Sequence, residues 1–208
     1  MNKHHITTPI SDDVIKSLRA GDCVYLSGVI YTARDAAHKR MTASAPAAAF
    51  ADVTTNANTP APHNVTAPAS TNAPFDYSGN VVYYAGPCPA PPNRPIGSVG
   101  PTTSQRMDTY TPQLLREGLR VMIGKGDRSE TVIEAIKEQS GVYLAAVGGA
   151  GALISLCVKH AEIAAYEDLG PEAVYKLTVS EMPLIVAIDC TGNNIYKNQR
   201  ETTKNNDN

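Results

Sequence analysis

The stretch Leu119-Arg120-Val121-Met122-Ile123-Gly124-Lys125-Gly126, with Ser129 to Gln139 and Val142-Tyr143-Leu144-Ala145-Ala146 after it, decides the fold class. The apolar run from Leu119 to Ile123 reads as a buried strand that ends on a lysine flanked by glycines. Ser129 then opens a helix to about Gln139, and Val142 to Ala146 reads as the next strand. The same alternation extends outward in both directions. Upstream, Ser11 caps a short helix through Leu18, Gly21-Asp22 turns the chain into a strand from Cys23 to Tyr31, and a helix carries Arg34 to Arg40. Val81 to Ala85 is a strand, a proline-rich loop runs from Gly86 to Pro95, and Thr111-Pro112 starts a helix that Gly118 closes. Downstream, Gly148-Gly149 precedes a small-residue helix from Ala150 to Lys159, followed by strands near Glu162–Tyr166, Val174–Val179 and Leu184–Ile188. The expected class is α/β, or mixed α+β, without internal repeats.

Length and composition narrow the function. At 208 residues the chain suits one domain, since domains run to roughly 100–200 residues. Residues 1–41 and 75–197 are expected to form it. Residues 42–74 are built largely from Ala, Thr, Asn, Pro and Ser with Asp52 as their one charge, the composition of a disordered insertion, and 198–208 read as a polar tail. The 18 basic and 20 acidic residues leave a net charge of -2, so nucleic acid and anionic membranes are not expected partners. No apolar run approaches the roughly 18 residues of a membrane span, and the polar start lacks a signal-peptide core, so a cytoplasmic location is expected. Cys23, Cys88, Cys157 and Cys190 are scattered without a Cys-x-x-Cys pair, so no metal ligands are assigned in this chain.

The chemistry gathers in Gly100-Pro101-Thr102-Thr103-Ser104-Gln105-Arg106-Met107-Asp108. A turn set by Gly100 and Pro101 lets a short helix start near Thr103, with free N–H groups and Arg106 turned toward an anion. Thr103 and Ser104 can bond a carboxylate there, or simply cap the helix. Arg34 and Lys125 supply two further cations, the first a planar fork and the second a point charge on glycine-flanked backbone. His38 follows Arg34 by one helical turn and has an ordinary pKa near neutrality, which suits either a catalytic base or a structural staple, with Asp35 beside Arg34 to orient it.

Ile6-Thr7-Thr8-Pro9-Ile10, Thr32-Ala33-Arg34-Asp35-Ala36-Ala37-His38-Lys39-Arg40, the Gly100-to-Asp108 run and Gly124-Lys125-Gly126 occur in order. Together with Gly86-Pro87-Cys88-Pro89, Gly148-Gly149-Ala150 and Tyr166-Glu167-Asp168-Leu169-Gly170-Pro171-Glu172-Ala173, they resemble the β-type half of the iron–sulfur-dependent hydro-lyases, class I fumarate hydratase and L(+)-tartrate dehydratase. The resemblance spans nearly everything but residues 42–74 and the tail. It implies a swivelling β/β/α domain working against an α-type subunit that holds a [4Fe–4S] cluster. Because Met1 stands just ahead of the first motif, that partner is expected as a separate polypeptide. The resemblance further implies a small dicarboxylate substrate bound by Arg34, Arg106, Lys125, Thr103 and Ser104. Thr102 is the implied catalytic base, acidified by Arg106, with His38 its rival. Fumarate hydration to (S)-malate is the expected reaction; tartrate dehydration to oxaloacetate and a non-catalytic assembly subunit are the alternatives.

Overall fold

The computed structural model describes residues 1–43 and 73–197. The insertion expected over 42–74 lies outside the described residues except at its edges, as does the tail from Asn198. In chain order the elements are β1 (Lys3–Thr7), α1 (Asp12–Ser17), β2 (Cys23–Thr32), α2 (Asp35–Thr42), β3 (Val81–Tyr83), a 3-10 turn (Ser104–Met107) and α3 (Thr111–Arg116). They continue with β4 (Val121–Gly124), α4 (Glu130–Glu138), β5 (Val142–Ala145), α5 (Gly151–Cys157), β6 (Val158–Ala165), a second 3-10 segment (Glu167–Glu172) and β7 (Val174–Ile188).

β2, β3, β4 and β5 pair in parallel, in register through Val81, Val121 and Val142. β7 runs antiparallel to both β5 and β2, so these five strands close on themselves, with β1 added to β2 and β6 to β7. Side chains alternate across the parallel strands. Val81, Tyr83, Val121, Ile123, Val142 and Leu144 face an interior shared with Ile6, Leu26, Leu184 and Val186 from β1, β2 and β7. Val82, Tyr84, Met122 and Tyr143 face the other way, onto Met41 of α2, Leu114 and Leu115 of α3, and Val132 and Ile136 of α4. Two apolar faces explain why β4 reads as an unbroken hydrophobic run, and they give three layers, β on β on α.

Several elements differ from the sequence reading: β1 and the Glu167–Glu172 segment are not expected from it, β6 starts at Val158 and not near Glu162, and two further differences have a visible cause. The strands expected at Val174–Val179 and Leu184–Ile188 are one strand, because the break between them is a bulge and not a turn. Glu181 takes φ 52° there, its N–H donates to Ser27 Oγ at 3.0 Å, and pairing with β2 resumes one step out of register. The α5 helix ends at Cys157 instead of Lys159, because the β-branched, buried Val158 is drawn into pairing with Val179. No helix among the described residues is long and apolar enough to cross a membrane.

Candidate active site

The C-terminal ends of β2, β3, β4 and β5 lie along one edge, where parallel α/β sheets leave loops free to meet ligands. Arg34 stands just beyond β2, Lys125 follows β4, and Gly148 follows β5. The Gly100-to-Asp108 run is stitched into the gap between β3 and β4. Thr102 N–H donates to Tyr84 O at 2.7 Å, Lys125 N–H donates to Thr102 O at 3.3 Å, and Ser104 N–H donates to Lys125 O at 2.9 Å. Thr103 and Lys125 therefore form a parallel bridge, extending the sheet by one short rung.

This stitching corrects the expected helix-start cradle. Only a single 3-10 turn follows Thr103, the Thr103 side chain makes no capping bond, and the Ser104 N–H is spent on Lys125. Ser104 itself is fully buried, its hydroxyl 2.8 Å from Tyr143 Oη, which in turn donates to Gly126 O at 2.9 Å. Both groups that the sequence offered to a carboxylate from Ser104 are thus used inside the protein. The packing demands glycine at position 124: a Cβ there would run into Ser104 Oγ and lie 2.9 Å from Tyr84 Cδ2.

What remains on the rim is cationic. Arg106 donates from Nε to Asp35 Oδ1 at 2.8 Å, and Arg34 Nε lies 3.8 Å from Asp35 Oδ2, so one carboxylate links the two arginines. Half of the Arg106 side chain and about a quarter of Arg34 stay open to solvent (50% and 24%). Thr102 and Lys125 are partly exposed and Thr103 is exposed. The structure therefore brings Arg34, Arg106, Thr102, Thr103 and Lys125 together, and adds Asp35 as the tie between the arginines.

His38 is not brought to this rim. It is fully buried on α2, its Nδ1–H donating to Arg34 O at 3.0 Å and its ring meeting Tyr84 edge-on at 5.2 Å between centroids. Nε2 is buried without a hydrogen-bond partner. Burial pushes its pKa down to about 4; Arg128 acts in the same direction, while the Arg34 carbonyl and Asp35 oppose it. The imidazole is neutral and braces the main chain of Arg34.

Arg128 escaped the sequence reading, since an arginine between Asp127 and Ser129 looks like a solvated charge. Its side chain is wholly buried, donating from Nε to Asp108 Oδ1 at 2.7 Å and from Nη2 to Thr111 Oγ1 at 2.7 Å. The other Asp108 oxygen accepts the Ser129 N–H at 2.7 Å. Asp108, at the end of the Gly100 run, is thereby clamped to the loop that follows β4.

A family described as Fumarase C-terminus matches residues 2–55 and 63–199. The chain belongs to that family. The anaerobic class I fumarate hydratase of Escherichia coli is 40% identical over 118 residues, 56% of this chain and 22% of that protein. Fumarate hydratase 1, mitochondrial, of Leishmania major is 33% identical over 174 residues, 83% of this chain and 28% of its own length. A protein of Methanocaldococcus jannaschii named "Putative L(+)-tartrate dehydratase subunit beta" is 34% identical over 189 residues, covering 88% of this chain and 86% of that one. The fumarase C-terminus fold thus occurs both as a fifth to a third of a long chain and as most of a short one, and relatives of both kinds are named as hydro-lyases.

Proposed function

We propose that this chain is the β-type subunit of a class I fumarate hydratase, which adds water reversibly to fumarate to give (S)-malate and is active only with an α-type partner. The observation that carries the reading is the Asp35-linked pair Arg34 and Arg106, on one rim with Thr102 and Lys125. A C4 dicarboxylate needs fixed cations to replace the water that its two charges lose in a closed site. Proton removal beside a carboxylate also builds negative charge on that group, and cations already in position favour that transition state. Thr102 acts as its alkoxide, a form that the positive charges of Arg106 and Lys125 favour; it takes the C–H proton of malate and passes it to the departing hydroxide, which leaves as water. His38, buried and bonded inward, serves as a brace.

Among the described residues no three His, Cys, Asp or Glu side chains gather as a ligand set, and the cysteines are far apart in sequence, Cys23 on β2, Cys157 on α5, and Cys88 and Cys190 in loops. These residues do not fit a [4Fe–4S] cluster, so we assign the cluster to the partner and derive no step through it here. One observation favours L(+)-tartrate as the alternative substrate: the relative of subunit length carries that name.

The test is anaerobic co-expression with an α-type partner, followed by assays on malate, fumarate and tartrate. Turnover of malate is expected, and turnover of tartrate alone would move the assignment to the second reading. Thr102→Ala should lower kcat by about 10²–10⁴-fold with KM within a few-fold, the range for losing a positioned proton acceptor. Near-normal kcat in that variant beside a collapsed rate in His38→Asn would overturn the base assignment. A complex inert on all three substrates would leave a non-catalytic assembly role.

A further inference from the structure

The segment Tyr166 to Ala173 supplies none of the groups assigned to chemistry, yet it grips α2 at both ends and reaches Arg34. At the C-terminal end Arg40 donates to both oxygens of Asp168, at 2.7 and 2.8 Å, and its guanidinium lies 4.9 Å from the Tyr166 ring centroid. At the N-terminal end the helix has no side-chain cap of its own, because Arg34 occupies the N-cap position. Glu172 fills that role from outside the helix. Its Oε2 accepts the Ala36 N–H at 2.9 Å while its Oε1 lies 3.5 Å from Arg34 Nη2. One carboxylate thus fixes both the first turn of α2 and the guanidinium that the turn presents.

Gly86 lets this happen. A Cβ at that position would lie 2.8 Å from Pro171 O and 2.9 Å from Arg34 Nη1, so the strand end, the arginine and the Glu172 segment meet only because the side chain is missing. Asp35 cannot replace Glu172, since its close bond goes to Arg106 and its approach to Arg34 Nε is 3.8 Å. Arg34 Nε is buried without a hydrogen bond, 3.8 Å from Asp35 Oδ2, and Glu172 stands 3.5 Å from Nη2 on the same guanidinium.

We propose that Glu172 is a positioning residue that aims Arg34 at the substrate carboxylate, acting through the first turn of α2 and through Nη2. The proposal rests on the reading of Arg34 as a substrate-binding arginine. A carboxylate at this position keeps the guanidinium pointed, so the arginine is pre-oriented before substrate arrives.

Two measurements test it. In the full chain, the Nε–H resonance of Arg34, assigned by its loss in Arg34→Lys, is followed by ¹⁵N-correlated NMR. Glu172→Ala should shift and broaden that signal and move the Ala36 amide. Glu172→Gln, whose amide oxygen still accepts from Ala36, should keep the Ala36 shift near wild type while moving Arg34. An Arg34 signal that is unchanged in Glu172→Ala overturns the proposal. In the assembled enzyme, Glu172→Ala should raise KM for malate about tenfold with kcat within about twofold, the size of one lost charge-assisted hydrogen bond, and Glu172→Gln should recover part of the loss. Unchanged KM, or parallel collapse of kcat and thermal stability in both variants, overturns it as well. Wild-type enzyme inert on malate would instead reject the proposed function, while the NMR result still decides whether Glu172 orients Arg34.

Discussion

His38 has a neutral imidazole sealed between Tyr84, Tyr110 and the first turn of α2. Its folded pKa, about 4, lies below the ordinary 6.5, so between these values the unfolded chain binds a proton that the folded chain refuses. The stabilisation is complete above about pH 6.5 and is lost as pH falls through 4, a span worth on the order of 3 kcal/mol. Urea unfolding at closely spaced pH values should show stability falling across this window in wild type. The slope should be smaller in His38→Asn, whatever that variant costs at neutral pH; equal slopes would mean that His38 is not the titrating group. The pairing of Arg128 with Asp108 and the tie from Asp35 to Arg106 carried no signal in the sequence, because each joins residues far apart in the chain. A histidine one turn after an arginine was legible as a pair on one helical face, but whether that face met solvent or core was not.

At the scale of elements, the join between the Gly100 run and β4 decides whether the site exists. The Thr103–Lys125 bridge holds Thr102 beside Lys125, and Gly124 permits the approach because Ser104 and Tyr84 fill the space that a side chain would need. Gly124→Ala should therefore push the Ser104 turn away from the sheet, costing about 1–3 kcal/mol of stability through overpacking. Activity of the assembled enzyme should fall by more than this stability loss explains, since Thr102 and Arg106 move with the turn. Chemical denaturation with parallel kinetics checks it, and an alanine variant with unchanged stability and rate would show that the contact yields without strain. Most strands and helices were legible because their apolar residues repeat with the right period, but β1 was not, since Lys3-His4-His5-Ile6-Thr7 holds a single apolar residue. The bulge at Glu181 was not, since Ser180-Glu181-Met182-Pro183 has the composition of a turn, and only pairing with β2 on both sides of it keeps β7 a single strand.

For the whole molecule, the ring from β2 through β3, β4 and β5 to β7 means that no layer has a core of its own. The parallel strands have the interior on one face and the helices on the other, so loss of either exposes the same strands. Unfolding of the chain should be a single transition, with far-UV circular dichroism and tyrosine fluorescence coinciding along the denaturant axis. Separated midpoints would reveal two independently stable layers. The sequence by itself determined the alternation of strands and helices from β2 to β5, the apolar stretches that become the core, and the motifs whose resemblance pointed to the family. These are properties of local pattern, written in spacing and side-chain type. Only the tertiary structure decided which polar residues face the rim and which the core. It turned Ser104 and His38 inward, left Arg106 and Lys125 accessible, and recruited Asp35, Arg128 and Glu172 as partners. Those outcomes depend on contacts between residues distant in the chain, where burial and pairing outweigh what any side chain prefers alone.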